Sequence, residues 1–461
     1  MMRFATPTLT CLAIAALAAA MRAEPPATSN TAPKPKACWP QFRGEEARGV
    51  VDGAPLPTKW DVKKGEGIKW KTAIPGLGLS SPIIWGDRVY LTTCVRAGGE
   101  KELKVGLYGD IEPINDGAAH SWHLLALNAK DGKIAWNQTA YKGVPKIKRH
   151  PKSSHANCTP ATDGTHVVAF FGSEGLYCYD TGGKLLWKKD LGVLDGGYFA
   201  VPDAQWEFGS SPIIYRDMVL VQCDVQKDSF LAAFNISDGK ELWRTPRDDV
   251  PTWSTPTVFA GNDRPELIVN GFKHMGGYDP MTGKELWRMG GGSDIPVPTP
   301  IVSHNLIFLT NSHSEPSAIY AVQLGAAGDI TLKGNETSNA SVAWMKRGQG
   351  NYMQTPLVYR DLLYACKDNG ILSCLDAKTG EKKYRVRVGS GNAGFTASPV
   401  AGDDKLYVTS EEGEVYVFPT GPEERKPLAV NKLNESSMAT PAIGDGVLFL
   451  RGQRHLFCVG K

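Results

Sequence analysis

Short apolar runs of strand length recur along the chain, each preceded by a Ser-Pro or Thr-Pro pair. After each pair come an apolar run, a polar turn and a second apolar run, as in PIIWGDRVYLTT and PAIGDGVLFL. Apolar runs bounded by turn residues predict two strands joined by a hairpin. The eight pairs are Ser81-Pro82, Thr159-Pro160, Ser211-Pro212, Thr255-Pro256, Thr299-Pro300, Thr355-Pro356, Ser398-Pro399 and Thr440-Pro441.

A second pattern follows most of these hairpins and predicts two more strands. It reads ALNAKDGKIAW, CYDTGGKLLW, AFNISDGKELW, GYDPMTGKELW and CLDAKTGEKKY, in each case a strand, a glycine turn and a strand with an aromatic residue. The shortest steps between successive prolines are 42 to 44 residues. A four-stranded unit of this period is typical of a propeller blade. The sequence therefore predicts an all-β, eight-bladed propeller of four-stranded antiparallel blades.

The eighth unit lacks its fourth strand, because the chain ends shortly after the third, HLFCVG. A matching strand, IKWKT at residues 68–72, precedes the first unit. We predict that it completes blade 8 and closes the ring, which removes exposed strand edges. Residues 38–461 then form one domain, with the ring itself at about 68–461.

Composition agrees with this fold and excludes several classes of protein. The 50 Gly and 31 Pro among 461 residues are unfavourable for long helices. A formal net charge of +3 gives no electrostatic indication of nucleic-acid binding, which favours a clearly basic domain. No apolar run approaches the ~20 residues of a membrane-spanning helix. We expect a monomer.

The N-terminus has the pattern of a signal peptide. Arg3 provides the positive charge, residues 9–20 (LTCLAIAALAAA) form the short apolar run, and Ala18 and Ala20 give a cleavage site. We predict a signal peptide at 1–20 and a flexible leader at 21–37. The protein is then exported, to the periplasm or beyond, and soluble after cleavage.

The repeat A-x-D-x-x-T-G-K-x-x-W and the heading segment WPQFRG at residues 39–44 resemble the bacterial exported propellers with pyrroloquinoline quinone (PQQ)-type repeats. The wider superfamily includes quinoprotein dehydrogenases and the propeller-type outer-membrane assembly lipoprotein. The resemblance implies a tryptophan-docking fold, in which indoles wedge between neighbouring blades against the glycine turns. The predicted docking residues are Trp70, Trp136, Trp187, Trp243 and Trp287.

Catalytic and metal-binding patterns are missing from the sequence. No C-x-x-C, H-E-x-x-H, G-x-S-x-G or phosphate-binding loop occurs. The sequence also lacks the adjacent cysteine pair of many quinoprotein alcohol dehydrogenases. Cys366 and Cys374 flank one hairpin, and the sequence leaves their disulfide state open. We therefore assign no catalytic, cofactor-binding or metal-binding residue.

Three long loops fall on one face of the predicted ring. They are the loop between the second and third strands of blade 1 (residues 96–121) and the connections into blades 2 and 3 (136–160 and 187–212). Aromatic and charged residues on loops held by a rigid scaffold are typical of binding sites. The candidate residues are His120, Arg149, His150, His155, Trp206 and Glu207.

The sequence favours a non-catalytic binding or scaffold propeller that recognises a protein, peptide or glycan on this face. Two alternatives remain open at this point. One is a PQQ- and calcium-dependent quinoprotein dehydrogenase, and the other is a polysaccharide-active enzyme.

Ring closure gives the first testable prediction. Deleting residues up to Thr72 removes the fourth strand of blade 8 and the Trp70 indole, so we expect aggregation or a large loss of thermal stability. Deleting residues 1–36 is the control and should be harmless. If the longer truncation melts like the intact protein, the closure assignment is wrong.

Overall fold

The computed structural model describes residues 1–2, 34–100, 103–107, 112–261 and 264–460. Contacts divide the chain into Met1–Asn30 and Thr31–Lys461, and only Met1 and Met2 of the first unit are described. The predicted signal peptide at 1–20 and the leader up to residue 33 therefore lie outside the described residues, apart from those two. Within these ranges, no helix has the length and apolarity needed to cross a membrane.

The described residues form eight antiparallel four-stranded sheets, as predicted. Their strands are named A to D in the order of pairing. Blades 1 to 4 consist of Ile83–Trp85, Arg88–Arg96, His120–Asn128 and Ile134–Gly143; Ala161–Thr162, His166–Phe170, Leu176–Asp180 and Leu185–Lys189; Ile213–Tyr215, Met218–Cys223, Phe230–Asn235 and Glu241–Pro246; and Thr257–Phe259, Glu266–Val269, Met275–Tyr278 and Glu285–Met289.

Blades 5 to 8 follow the same order. Their strands are Ile301–Ser303, Leu306–Asn311, Ala318–Gln323 and Val342–Arg347; Leu357–Tyr359, Leu362–Cys366, Ile371–Asp376 and Lys382–Arg387; Val400–Gly402, Lys405–Thr409, Glu414–Pro419 and Ala429–Lys432; and Ala442–Ile443, Val447–Arg451, His455–Gly460 and Ile68–Ala73.

Two short strands and two 3-10 turns complete the secondary structure of the described residues. Cys38–Trp39 pairs with strand A of blade 1, and Gly328–Asp329 lies parallel to strand D of blade 4. The 3-10 turns are Glu45–Ala47 and Gly172–Glu174. Helix is almost absent, as the proline and glycine content requires.

The predicted ring closure is confirmed. Ile68–Ala73 runs antiparallel to His455–Gly460, with Trp70 opposite Cys458. The N-terminal strand thus supplies the strand D that blade 8 lacks, and the prediction ends one residue short of the observed strand.

Four of the predicted docking tryptophans reach from one blade to the next. Each indole N–H donates to a backbone carbonyl in the C-to-D turn of the following blade, at 2.6–3.1 Å. In the first of these turns Gly132 has a φ of +70°, and a Cβ there would lie 2.5 Å from the Trp70 ring. The pairs are Trp70 with Ala129, Trp136 with Thr181, Trp187 with Ile236, and Trp243 with Pro280.

Trp287 bonds differently from the other four. Its indole N–H donates to Glu266 Oε2 in its own blade at 2.8 Å, and the ring covers Gly277, also in blade 4. The cause is the insertion between strands C and D of blade 5, which replaces the short glycine turn and adds Gly328–Asp329 to blade 4. Trp344, which the repeat comparison missed, makes the inter-blade bond to Ala377 O at 3.3 Å.

The Ser/Thr-Pro pairs link successive blades around the axis. In six of the links, the backbone N–H of one Ser or Thr donates to the side-chain hydroxyl of its counterpart in the next blade, at 2.9–3.0 Å. Between blades 4 and 5, Ser254 Oγ donates to Pro298 O at 2.9 Å. Between blades 8 and 1, the buried Arg451 guanidinium donates to Ser80 O at 2.8 Å.

The WPQFRG segment and the residues after it cross the inner side of the ring as an axial plug, defined here as residues 38–52. Trp39 is paired with Ile84 of blade 1, and Pro40 O accepts the N–H of Thr162 of blade 2. At the far end, Val51 N–H donates to Ala401 O of blade 7. The plug therefore contacts blades on opposite sides of the ring.

Arg43 is the fully buried centre of this plug. Its guanidinium donates to the carbonyls of Pro356 at 3.0 Å and Pro399 at 2.8 Å, in blades 6 and 7. It has no carboxylate partner among the residues that the structure describes, and burial lowers its pKa to about 9. Gly49 is required beside it, because a Cβ there would lie 2.5 Å from Arg43 Nη2.

All eight described cysteines are free thiols. Cys366 and Cys374 lie opposite Leu372 and Tyr364, respectively, rather than opposite each other. The hairpin that they flank is therefore closed by backbone pairing and not by a disulfide.

The plug gives the second prediction. Arg43→Met should lower the free energy of unfolding by about 3 kcal/mol or more, because it leaves buried proline carbonyls without donors. Urea denaturation would measure the loss, with Arg48→Met, which removes an exposed pair with Glu46, as the control. Equal stability of the two variants would contradict the role of Arg43.

Candidate functional site

An open cavity of about 480 Å³, called the cup here, lies on the axis of the ring. Strand-B-to-C loops and D-to-A connections contribute to its wall, so it opens on the face of the long loops. Phe42 of the axial plug also lines it. The plug therefore separates the cup from the opposite face.

A ring of hydroxyl groups forms the innermost layer of the cup. It consists of the Ser or Thr of all eight Ser/Thr-Pro pairs, every one of them a lining residue. Six of the hydroxyl oxygens accept the inter-blade hydrogen bonds described above, and those of Ser81 and Thr299 do not. This layer follows directly from the repeat. Its members are Ser81, Thr159, Ser211, Thr255, Thr299, Thr355, Ser398 and Thr440.

A second layer comes from the residues two positions before each hydroxyl. Alternate residues of extended backbone point to the same side, so both layers face the axis. This layer is mainly apolar. Its members are Leu79, Asn157, Gly209, Trp253, Val297, Met353, Thr396 and Met438, and all eight line the cup.

Aromatic rings surround the cup on the side of blades 3 to 6. Trp206 stacks on Tyr198, with ring centroids 5.4 Å apart and planes inclined by 2°, and its centroid lies 5.7 Å from that of Trp253. The rings of His313 and Tyr352 lie 5.3 Å apart, and both residues line the cup. Together these rings offer flat apolar surfaces to a ligand.

One ion pair and one further carboxylate bring charge to the cup. Lys152 Nζ lies 2.7 Å from Glu411 Oε1, and Glu411 also accepts bonds from Gly106 N–H at 2.7 Å and Thr396 Oγ1 at 2.6 Å. The carboxylate of Asp368 makes no hydrogen bond or salt bridge with any other described residue. Asp368 thus presents the acceptor oxygens that remain open to a ligand.

The six candidate residues separate into two groups. His150 and Trp206 line the cup, where their rings meet edge to face with centroids 5.4 Å apart. His120, Arg149, His155 and Glu207 are buried outside the cup lining. The loops therefore bring two of the candidates to the cup and fold the other four into the protein.

The four buried candidates form a polar cluster with Glu174. His155 Nδ1 bonds to Glu207 Oε2, and the rings of His155 and His120 are 5.2 Å apart. Arg149 Nη1 donates to Ser153 O at 2.7 Å. The Glu207 backbone has a φ of +69°, and its side chain points away from the cup that its neighbour Trp206 lines.

Burial controls the titration of this cluster. It raises the pKa of Glu207 to about 8 and that of Glu174 to about 7, and lowers that of His155 to about 4. Burial also lowers the pKa of Arg149. His155 Nε2 and Glu174 Oε2 have no hydrogen-bond partner among the described residues. Burial therefore favours the uncharged forms of Glu207 and His155 near neutral pH.

Several cup residues were missed from the sequence. Trp253 lies two positions before Thr255. Alternate residues of a strand face the same side, so the repeat could have predicted that Trp253 faces the axis. His313, Asp368 and Glu411 come from B-to-C loops of blades 5 to 7, and no spacing in the sequence indicates that they meet at the axis.

A family model described as "Outer membrane protein assembly factor BamB" matches residues 46–191, 123–290 and 272–459. These overlapping matches cover most of the chain. The chain belongs to this family of PQQ-like propellers.

The curated relatives are distant in sequence. BamB of Shewanella oneidensis is 28% identical over 298 residues, which are 64% of this chain and 66% of the relative. Tetrathionate hydrolase of Acidithiobacillus ferrooxidans is 24% identical over 285 residues, 57% of this chain and 47% of that protein. The chain thus spans about half to two thirds of the length of these relatives.

Solved structures share the fold at low identity. BamB from Moraxella catarrhalis superposes with a TM-score of 0.54 and 13% identity, covering 80% of this chain and 99% of that one. A europium-containing methanol dehydrogenase gives a TM-score of 0.61 and 11% identity, covering 90% and 89%. These similarities concern the architecture of the PQQ-like propeller.

The dehydrogenase neighbours raise the question of whether the cup fits PQQ, which is a planar tricarboxylate. Its described lining offers aromatic surfaces, but Lys152, the one lysine among these residues, is already paired with Glu411. Asp368 would repel the carboxylates of the cofactor. No group of three or more His, Cys, Asp or Glu suited to a metal occurs in the described ranges. The charges of the described lining therefore oppose the carboxylates of PQQ.

The buried cluster gives the third prediction. The folded-state pKa of Glu174, about 7, exceeds its ordinary value of 4.5, so the stability linked to its bound proton is present at low pH and is lost as pH rises through about 7. Glu174→Gln keeps an acceptor for Lys146 N–H and cannot ionise. We compare the free energies of unfolding of the two proteins at each pH. Between pH 5 and pH 9, their difference should change by about 1–3 kcal/mol in favour of the variant, because only the wild type loses this stabilisation.

Urea denaturation across this pH range checks the expectation. Glu241→Gln, at an exposed pair with Arg244, is the matched control and should follow the wild-type pH dependence. Parallel curves for wild type and Glu174→Gln would contradict the assignment.

Proposed function

We propose that this chain is an exported, non-catalytic binding or scaffold propeller that recognises its ligand or protein partner at the cup on the long-loop face. The observation that carries the proposal is the cup itself: a closed-ended axial cavity with a hydroxyl base, an apolar layer and aromatic walls. Few, well-placed polar groups in an apolar cavity are typical of ligand sites. The long loops of blades 2 and 3 supply His150 and Trp206 to it.

A binding role agrees with the family. BamB of Shewanella oneidensis is named as an outer membrane protein assembly factor, a role outside catalysis. The predicted signal peptide favours the periplasm or the exterior as the place of action. A protein segment or a glycan that enters the cup is then the partner expected of this chain.

A dehydrogenase is the alternative that the solved structures favour, since the fold resembles a methanol dehydrogenase. The charge of the cup opposes it, as described for PQQ. A polysaccharide-cleaving enzyme requires two carboxyl groups beside the scissile bond. In the described lining, Glu411 is held by Lys152, Thr396 and Gly106, and Glu207 is buried elsewhere, so Asp368 lacks an equivalent partner.

The fourth prediction tests binding by thermal shift with three sets of probes: basic and acidic peptides, neutral oligosaccharides, and PQQ with Ca²⁺. A ligand that binds only the folded state raises the melting temperature. We expect a rise with a peptide or an oligosaccharide, and neither a rise nor alcohol oxidation with PQQ and Ca²⁺. The rise should disappear in Trp206→Ala, which removes a stacking surface from the cup.

Asn335→Ala, at an exposed position of the blade 5 insertion, is the control and should retain the rise. Arg149 and Glu207 are unsuitable probes, because their burial makes an alanine substitution a test of stability. Calcium-dependent turnover with PQQ, or a ligand effect that survives Trp206→Ala, would contradict the proposal.

A further inference from the structure

We propose that the cup binds the end of a neutral carbohydrate chain. This inference rests on the proposed function, because it assigns a ligand class to the same cup. It depends on three features that a neutral carbohydrate satisfies together: hydroxyl donors at the base, flat apolar walls, and an open carboxylate acceptor.

The base of the cup carries hydroxyl groups whose protons have no acceptor. Thr355 Oγ1, for example, accepts the Thr299 N–H at 2.9 Å, and Ser398 Oγ accepts the Thr355 N–H at 3.0 Å. No donated hydrogen bond from these hydroxyls to another described residue exists. Because a hydroxyl both donates and accepts, each can still donate to an oxygen atom on the axis.

Thr299 makes this point most clearly. Thr299 lines the cup, and its buried hydroxyl group has no hydrogen-bond partner of either kind among the described residues. Buried hydroxyl groups without partners are rare, because desolvation is costly. A ligand oxygen at the base of the cup would satisfy it.

The walls of the cup suit the apolar faces of a sugar ring. Trp206 and Trp253 line the cup beside the apolar layer that includes Val297 and Met353. The C–H face of a pyranose packs on indole rings, while its ring edge carries hydroxyl groups. Only a ligand with apolar faces and polar edges can use the walls and the base at once.

The charges in the cup favour a neutral ligand. An anion would meet Asp368, and the cation that could offset it, Lys152, is 2.7 Å from Glu411. A cationic group could pair with Asp368, but as a donor alone it would leave the hydroxyl protons at the base without an acceptor. A neutral sugar avoids both penalties, and its own hydroxyl groups can donate to the Asp368 carboxylate.

The shape of the cup selects the end of a chain. The axial plug, through Phe42, lines the cavity on the side away from the long loops, and the cavity of about 480 Å³ lies within the range of small-molecule sites. A glycan therefore enters from one face only. A groove for the middle of a polysaccharide would need two exits.

The test uses the full mature protein on an array of neutral oligosaccharides with free non-reducing ends, followed by calorimetric titration of the tightest binder. We expect saturable binding, with affinity reduced at least about tenfold by Trp206→Ala. Thr299→Val should weaken binding about fivefold or more without lowering the melting temperature, because its hydroxyl has no partner to lose.

Thr409→Val is the matched control. Its hydroxyl is also buried and without a partner among the described residues, but it lies outside the cup lining. This variant should bind like wild type. The comparison separates loss of a ligand contact from a general effect of replacing a buried hydroxyl.

The results distinguish an incorrect ligand class from an incorrect binding site. If no neutral oligosaccharide binds but a peptide binds in a Trp206-dependent way, the carbohydrate assignment is overturned and the binding function stands. If an oligosaccharide binds equally well to Trp206→Ala and Thr299→Val, the cup is not its site. If nothing binds in a Trp206-dependent way, both proposals fall.

Discussion

The pairing of Ile68–Ala73 with His455–Gly460 is the contact on which the rest of the propeller depends. Each blade buries its two faces against its neighbours, so an open ring would expose a face at each end. Backbone hydrogen bonds between these two strands remove that gap. The Trp70 indole extends the join to blade 1 through Ala129. Closure therefore depends on strand pairing within blade 8 and on the contact of Trp70 with blade 1.

A closed ring of eight blades leaves space on its axis, and this chain fills one side of that space itself. The axial plug carries a buried cation, Arg43, to the carbonyls of Pro356 and Pro399. Carbonyl groups at the ends of the innermost strands would otherwise face each other without donors. The same segment that stabilises the inner ends of the blades thus converts a channel into a cup.

Polar residues of the long loops serve two separate purposes. Trp206 and Glu207 are neighbours in sequence, yet the first lines the cup and the second bonds to His155 inside the protein. The backbone is left-handed at Glu207, where this division occurs. The buried cluster supports the loops from within, and the aromatic surface that they carry remains available to a ligand. Two neighbouring residues therefore have different roles: Trp206 faces the cup, and Glu207 supports the loop from inside the protein.

The repeat alone determined the blades, their number, the closing strand and the hydroxyl ring, because each depends on spacing and on local hydrogen bonding that every unit reproduces. It also contained the apolar layer of the cup, which lies two residues before each hydroxyl. Only tertiary structure decided three features: the burial of Arg149 and Glu207, the bond of Trp287 within its own blade, and the presence of Trp206, Trp253 and Asp368 in one cavity. These features depend on insertions and loops that differ from blade to blade. A loop without periodicity contains no spacing from which its side chains' neighbours can be inferred, and only the packing of eight blades around one axis brings them together.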